Sequence, residues 1–168
     1  APSIPESMLG FGASFAYKGF DFSFLFQGAF GASTYLTSGW YFQPFQADRD
    51  PKYMGNVLVN FLDRWTPENQ DPYAFSPRLH YGANTNNYKT STWWQRDASY
   101  LRLKNVEIGY TLPDRWAKKV YADQLRIYLQ GVNLLTFSKF YSNFWDPETS
   151  ADSYPMQRIV FLGLNVSF

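Results

Sequence analysis

The stretch LGFGASFAYKGFDFSFLFQ, residues 9–27, alternates large apolar side chains with small or polar ones. This period of two predicts two β-strands, each with one apolar face. Lys18 and Gly19 interrupt the alternation and suit a two-residue hairpin turn, which pairs Tyr17 with Phe20 on the same face. The stretch therefore predicts an antiparallel β-hairpin.

The same alternation predicts three more strands, at residues 98–111, 125–137 and 159–168. In the first of these, the phase slips near Lys104 and Asn105. One extra residue at that point, a β-bulge, returns the apolar side chains of this strand to one face. These side chains are Leu101, Leu103, Val106, Ile108 and Tyr110.

The connections between strands alternate between short and long. Short ones follow the first and third strands, and residues 113–120 of the second short connection predict a helical turn. Long loops at residues 31–97 and 138–157 follow the other two, and a short helix is expected at residues 57–63. Bacterial outer-membrane barrels place short turns on the periplasmic side and long loops outside.

Composition agrees with a barrel wall. Aromatic residues make up 21% of the chain, yet its mean hydropathy is −0.37. Strands with one face in lipid and the other in an aqueous lumen have this character. Five strands are too few to close a barrel, which needs about eight, so we expect the remaining strands to come from outside these residues.

Charge and cysteine content exclude several function classes. The net charge is +1 without a run of Lys or Arg, which argues against nucleic acid as a partner. The absence of Cys excludes disulfides, thiolate metal sites and a Cys nucleophile within the sequence. No apolar stretch has the length of about 18 residues expected for a membrane-spanning helix.

The last strand has a pattern of its own, because its apolar face ends on an aromatic residue at the final position. Such a strand resembles the terminal strand that the barrel-assembly machinery recognises in outer-membrane proteins. An ordinary amphipathic strand that happens to end in Phe is the alternative. We expect the terminal strand to direct assembly through Leu162, Leu164, Val166 and Phe168.

Several motifs, in order, resemble the SusC-like TonB-dependent transporters of Bacteroidetes outer membranes. They span nearly the whole chain, and only the interior of the long loop, about residues 81–94, carries no motif that resembles the family. The motifs are YKGFD at 17–21, RWTPEN at 64–69, SYLRLKN at 99–105, GYTLP at 109–113, GVNLL at 131–135, DPE at 146–148, YP at 154–155 and the final strand.

The resemblance implies an all-β fold, a transmembrane antiparallel barrel of twenty-two strands with a plug in its lumen. Residues 1–168 would supply the last five strands, while the plug, the earlier strands and the segment that engages the TonB complex lie elsewhere. The implied function is outer-membrane import of glycans or peptides together with a SusD-like surface lipoprotein. No enzyme activity and no cofactor are expected.

Four aromatic residues of the long loop are candidate contacts for a ligand or a partner protein. Rings of this kind stack on sugars or pack at interfaces, although packing within the loop or an aromatic girdle at the membrane edge is the ordinary alternative. These residues are Trp40, Tyr41, Trp93 and Trp94. On the third strand, Arg102, Lys104 and Glu107 are expected to face the lumen as solvated wall residues or plug contacts.

The acidic residues of the loops allow two other hypotheses. Glu68 with Asp71, or Asp146 with Glu148 and Asp152, resemble acid and base pairs of a glycoside hydrolase. The same acids lack the regular spacing of a calcium loop, and His80 is the single histidine. We predict no catalytic and no metal site. A soluble carbohydrate-binding β-sandwich is the main alternative to the barrel.

Overall fold

A computed structural model describes residues 2–36, 57–80, 84–87, 89–140, 145–149, 153–154 and 156–168. It divides into two compact units. The first combines Ala1–Thr34 with Asp97–Phe168, and the second is Tyr35–Arg96. Among the helices of these residues, none has the length and apolar character needed to cross a membrane.

The first unit is built on a five-stranded antiparallel sheet in which each strand pairs with its neighbours along the chain, in the order β1-β2-β5-β6-β7. Two further strands, β3 and β4, form a small two-stranded sheet. The strands are β1 Ser7–Tyr17, β2 Phe20–Phe30, β3 Ser33–Tyr35, β4 Gln95–Asp97, β5 Tyr100–Thr111, β6 Gln124–Ser138 and β7 Ile159–Ser167.

The predicted hairpin is confirmed. Tyr17 pairs with Phe20, and the two residues between them have positive φ angles, 49° at Lys18 and 85° at Gly19. Two consecutive positive φ angles are typical of the type I′ turn, whose twist matches that of the flanking strands. Glycine adopts this conformation without the steric penalty of a Cβ atom.

The bulge in the third predicted strand is also confirmed. Leu25 of β2 lies opposite Asn105, and the next residue, Phe26, lies opposite Leu103, so Lys104 has no partner on β2. Residues directly opposite each other share a face of the sheet. The apolar residues on both sides of Lys104 therefore face the same way as the phenylalanines of β2.

A second irregularity was not predicted. Between β5 and β6 the register shifts again, with Leu103 opposite Leu135 and Asn105 opposite Val132. In the extra segment of β6, Asn133 has a φ of 54°. Asn tolerates this left-handed conformation better than most residues, since its short polar side chain can bond locally.

The two faces of the sheet differ in character. One face carries rows of large apolar side chains that are largely exposed, with Phe15 at 62% and Leu162 at 75%. Charged and small residues occupy the other face. No second sheet covers the apolar face within the described residues. This arrangement is unlike a β-sandwich, whose apolar core lies between two sheets.

Short helices occupy the connections where the sequence predicts them. Helix α1, Asp114–Ala117, and the 3₁₀ helix Lys118–Val120 fall within the turn predicted at 113–120. In the second unit, a 3₁₀ helix at Val59–Leu62 matches the helix expected at 57–63, and another lies at Thr92–Trp94.

Candidate functional site

The most buried charged group of the first unit is Arg102, on the polar face of β5. Its guanidinium is 1% exposed and donates to both carboxylate oxygens of Asp146, each at 2.7 Å. The same guanidinium lies 3.2 Å from Glu148. Asp146 and Glu148 belong to the loop after β6, so a buried ion cluster attaches this loop to the sheet.

Other groups complete the attachment. The Tyr100 hydroxyl donates to Glu148 Oε1 at 2.7 Å, and Lys104 Nζ lies 3.8 Å from Glu148 Oε2. The backbone N–H of Glu148 donates to Asp146 Oδ1 at 2.9 Å, which fixes the two acids relative to each other. We call the cluster of Tyr100, Arg102, Lys104, Asp146 and Glu148 the loop clamp.

The loop clamp corrects the expectation that Arg102 is a solvated wall residue, since its side chain is 1% exposed and paired with two loop acids. It also shows that Asp146 and Glu148, which the hydrolase hypothesis treated as an acid and base pair, attach the loop to the sheet. Both carboxylates bind Arg102, which commits them to holding the loop against the sheet. Asp152 lies outside the described residues.

A second ion cluster crosses three strands of the same polar face. Arg126 of β6 donates from Nε to Asp21 Oδ2 at 2.9 Å and from Nη2 to Asp21 Oδ1 and to Glu107 Oε1, the last at 2.6 Å. The guanidinium also lies 5.0 Å from the centre of the Tyr128 ring. We call Asp21, Glu107 and Arg126 the strand bridge. It places Glu107 on the polar face, as expected.

Glycine makes the strand bridge possible. Gly109 lies on β5 between Asp21 and Tyr128 in the register. A Cβ atom at this position would lie 2.5 Å from Asp21 Oδ2 and would also meet the guanidinium of Arg126. The long side chain of Arg126 therefore crosses β5 where that strand has no side chain.

Of the four predicted aromatic contacts, Trp93 and Trp94 are described, while Trp40 and Tyr41 lie outside the described residues. Trp94 is 1% exposed and donates from Nε1 to the carbonyl of Asn87 at 2.9 Å, so it packs within the second unit. Trp93 is half-buried, and its indole nitrogen has no hydrogen-bond partner among the described residues.

A small cavity of about 150 Å³ adjoins both tryptophans and is also lined by Pro77, Asn86, Asn87 and Ser91. Next to it, Arg96 donates to the carbonyls of Trp93 at 2.5 Å and Phe75 at 3.3 Å. Burial lowers the pKa of Arg96. This guanidinium orders the second unit by donating to part-buried carbonyls.

The terminal strand exposes the residues predicted to direct assembly. Ile127 pairs with Leu164 and Leu129 with Leu162, which places both leucines on the apolar face. Phe168 is 86% exposed, and Val166 lies on the same face as the leucines. β7 pairs with β6 alone in the described part of the chain, so its other edge is free. The role of these four residues in assembly stays a prediction.

Metal binding has no candidate in the described residues, because they contain no group of three His, Cys, Asp or Glu side chains that could hold an ion. Glu68 and Asp71 lie in the second unit, where the backbone N–H of Tyr73 donates to Asp71 at 2.8 Å. Hydrogen bonding of this kind is typical of an Asx turn and gives Asp71 a structural role.

No family model matches the sequence. Curated relatives match it, and three of them come from Formosa agariphila. TonB-dependent receptor P26 is 32% identical over 98% of the chain, and TonB-dependent receptor P3 is 28% identical over 98%. The chain belongs to the SusC-like TonB-dependent receptors. It spans 17% and 16% of the lengths of these two relatives.

Solved structures agree with this membership. Our chain matches a structure of the RagAB peptide importer in the closed-closed state with a TM-score of 0.72 and 27% identity. The match covers 99% of our chain and 18% of the RagAB chain. A structure of the RagAB peptide transporter matches with a TM-score of 0.69 and 26% identity, over 95% and 17%. These relatives are receptors and transporters, not enzymes.

Proposed function

We propose that this chain forms part of the wall of an outer-membrane importer for nutrient oligomers, glycans or peptides. The observation that carries the proposal is a single sheet whose apolar face is exposed and whose opposite face holds charged clusters. A strand that separates lipid from an aqueous lumen needs this division. The relationship to TonB-dependent receptors and to the RagAB importer supports it.

The sheet supplies five neighbouring strands of a larger plugged barrel of twenty-two. Both outer edges of the sheet, on β1 and β7, are unpaired in the described residues. Unpaired backbone groups in hydrocarbon cost several kcal/mol each, so both edges pair with strands outside this chain. The lumen of that barrel contains the plug, and energy arrives from TonB through segments outside these residues.

Energy-dependent uptake tests the proposal. Cells that carry the full-length receptor should accumulate a labelled peptide mixture or a labelled oligosaccharide mixture, and an uncoupler of the inner membrane should abolish the accumulation. Cells without the receptor should not accumulate that mixture. Equal uptake of both mixtures with and without the receptor contradicts the import function.

A SusD-like surface lipoprotein caps the barrel, and the long loop contributes to the surface that meets it. RagAB, a transporter paired with a surface lipoprotein, supports such a partner in general. The loop residues Trp40, Tyr41, Trp93 and Trp94 suit either this interface or a ligand, since aromatic residues are enriched in buried interface centres. Of the two described ones, Trp93 is the better candidate because Trp94 is fully buried.

Cysteine labelling in whole cells tests the orientation of the loop. A cysteine in place of Trp93 should react with a membrane-impermeant reagent from outside, and a cross-linker at this position should capture the lipoprotein. A cysteine in place of Phe140, which stacks on Trp145 within the first unit, is a buried control. Labelling of the Trp93 position from the periplasm alone would invert the proposed topology.

The terminal strand serves assembly more than transport. Full burial of a Phe side chain stabilises by about 1.5–3 kcal/mol, a modest amount for a large barrel, so a severe defect on deletion of Phe168 would be kinetic. The deletion should lower the amount of heat-modifiable receptor in outer membranes and leave uptake per inserted molecule unchanged. Normal abundance with lost uptake would contradict this role of Leu162, Leu164, Val166 and Phe168.

A further inference from the structure

A cavity of about 440 Å³ opens on the polar face of the sheet, inside the first unit. Its floor is made of small side chains, Ala29, Ala32 and Ala98. Its rim includes Gln27 and Thr34. The volume falls in the range of about 300–1,000 Å³ that is usual for ligand pockets.

One wall of this cavity is the loop segment that the loop clamp holds. Pro147, Glu148 and Thr149 line the cavity, and Asp146 beside them accepts from the buried guanidinium of Arg102. The backbone N–H of Thr149 donates to the carbonyl of Asp146 at 3.2 Å, which continues the ordered segment. Arg102 is therefore a positioning residue, because it fixes the wall without lining the cavity.

The charge of the lining indicates an uncharged ligand. Among the described residues that line the cavity, Glu148 is the only charged one. Its carboxylate is already compensated by Arg102 at 3.2 Å and Lys104 at 3.8 Å. Glu148 Oε2 accepts no hydrogen bond from the described residues, but its charge is balanced by these two cations. A charged ligand group would therefore lose its hydration, at a cost that grows with burial, without meeting a charge that the loop clamp leaves unbalanced.

The lining also distinguishes a peptide from a sugar. Tyr100 is the only aromatic side chain among the described lining residues. Its hydroxyl donates to Glu148 at 2.7 Å, and the guanidinium of Arg102 lies 5.6 Å from the ring centre. The described part of the lining thus offers no broad free aromatic platform on which a sugar ring could stack.

Peptide main chain fits the remaining groups. Amide and hydroxyl side chains both donate and accept hydrogen bonds, as the alternating N–H and C=O groups of a peptide require. Gln27, Thr34 and Thr149 provide such groups around an alanine floor that leaves room for small side chains. We infer that the cavity binds an uncharged peptide segment and that the loop clamp positions its wall. This rests on the proposed import function, whose substrate class it names.

Binding to the full-length receptor, purified with its lipoprotein in detergent, tests the inference. The probe is a radiolabelled neutral peptide, acetyl-Ala-Ser-Ala-Ser-amide, and maltotetraose is the competing sugar. Ala29→Trp fills the floor and should weaken peptide binding by at least about tenfold. Ser14→Trp adds the same bulk to the polar face of β1 away from the cavity and should change binding by less than about twofold.

A block applied after folding covers the case in which Ala29→Trp prevents assembly. Thr34→Cys, modified by a bulky maleimide on the folded receptor, should weaken peptide binding as Ala29→Trp does, while Ser14→Cys with the same reagent should not. Peptide binding that is absent from the wild type, or unchanged by the block, overturns the inference. So does a block that weakens binding of maltotetraose and leaves the peptide unaffected.

Failure of the inference and failure of the import function give different results. If wild-type cells show energy-dependent uptake while the blocked receptor binds the peptide normally, only the cavity assignment is wrong. If wild-type cells accumulate neither peptides nor glycans, the import function itself is wrong. Receptor-dependent uptake of the peptide that is lost with the block supports both.

Discussion

The loop clamp and the strand bridge have the same central composition, one arginine bound to two carboxylates, in two different settings. Arg102 is 1% exposed and joins the sheet to a loop, whereas the Arg126 side chain is 20% exposed and joins three strands. The strand pairing already holds together the residues that the strand bridge connects. The described residues of the loop after β6 belong to no strand of the sheet, so the loop clamp is the set of ion pairs that holds Asp146 and Glu148 against it.

Burial decides how much each cluster contributes to stability. An exposed ion pair contributes little, because water and salt screen it. A buried pair can be nearly neutral in net terms, but removal of one partner leaves an uncompensated charge that water cannot reach. The two clusters should therefore respond very differently to loss of the arginine.

Arg102→Met should have the largest effect and lower the free energy of unfolding by about 3–5 kcal/mol, because it leaves Asp146 and Glu148 without their main cation. The measurement is the urea dependence of the folded band of the full-length receptor on unheated gels. The double variant with Asp146→Leu should recover part of the loss. A loss no greater than that of Arg126→Met would show that burial does not separate the clusters.

Arg126→Met should lower the free energy of unfolding by only about 0.2–1 kcal/mol, because the strand bridge is partly exposed and its strands remain paired. The same gel assay measures the change. Added salt should reduce the difference between this variant and the wild type, since exposed pairs are screened. A large, salt-independent loss would show that the strand bridge is shielded from solvent in the complete barrel.

Gly109→Ala should have the smallest net effect, within about 0.5 kcal/mol of zero. The added methyl group displaces the flexible ends of Arg126 and Asp21 and so removes their pair. Replacement of Gly by Ala in a strand returns about 0.5–1 kcal/mol of conformational free energy, which offsets the loss.

Gly10→Ala is the matched control for this variant, because a Cβ at Gly10 meets only the Phe26 carbonyl oxygen, at 3.9 Å. It should stabilise the receptor by about 0.5–1 kcal/mol. The difference between the two alanine variants gives the contribution of the strand bridge. If Gly10→Ala and Gly109→Ala stabilise equally, the bridge contributes nothing.

The strands were predictable because an amphipathic sheet records its two faces in the sequence. Leu103 and Val106 carry the shift of phase that indicates the bulge, and the register confirms it. The shift at Asn133 could not be predicted, because the apolar residues before and after it, Leu129, Leu135 and Phe137, all have odd numbers. A parity pattern detects only insertions that change the parity.

The charged clusters were not predictable, because their partners lie far apart in the chain. Arg102 and Asp146 are separated by 44 residues, and Arg126 and Asp21 by 105. Residue spacing at this range carries no information about contact. Both arginines were nevertheless on the polar face of their strands, so the register of the sheet, once known, limits the acids that each can reach.

The pairing of β2 with β5 encloses the whole of Tyr35–Arg96 between two neighbouring strands. Closing a flexible loop becomes costlier only with the logarithm of its length, by about 0.6 kcal/mol for each doubling. The sheet can therefore accept large changes in the length of this segment at little thermodynamic cost. Under the proposed import function, this segment can be rebuilt for a new nutrient while the strands on either side of it stay the same.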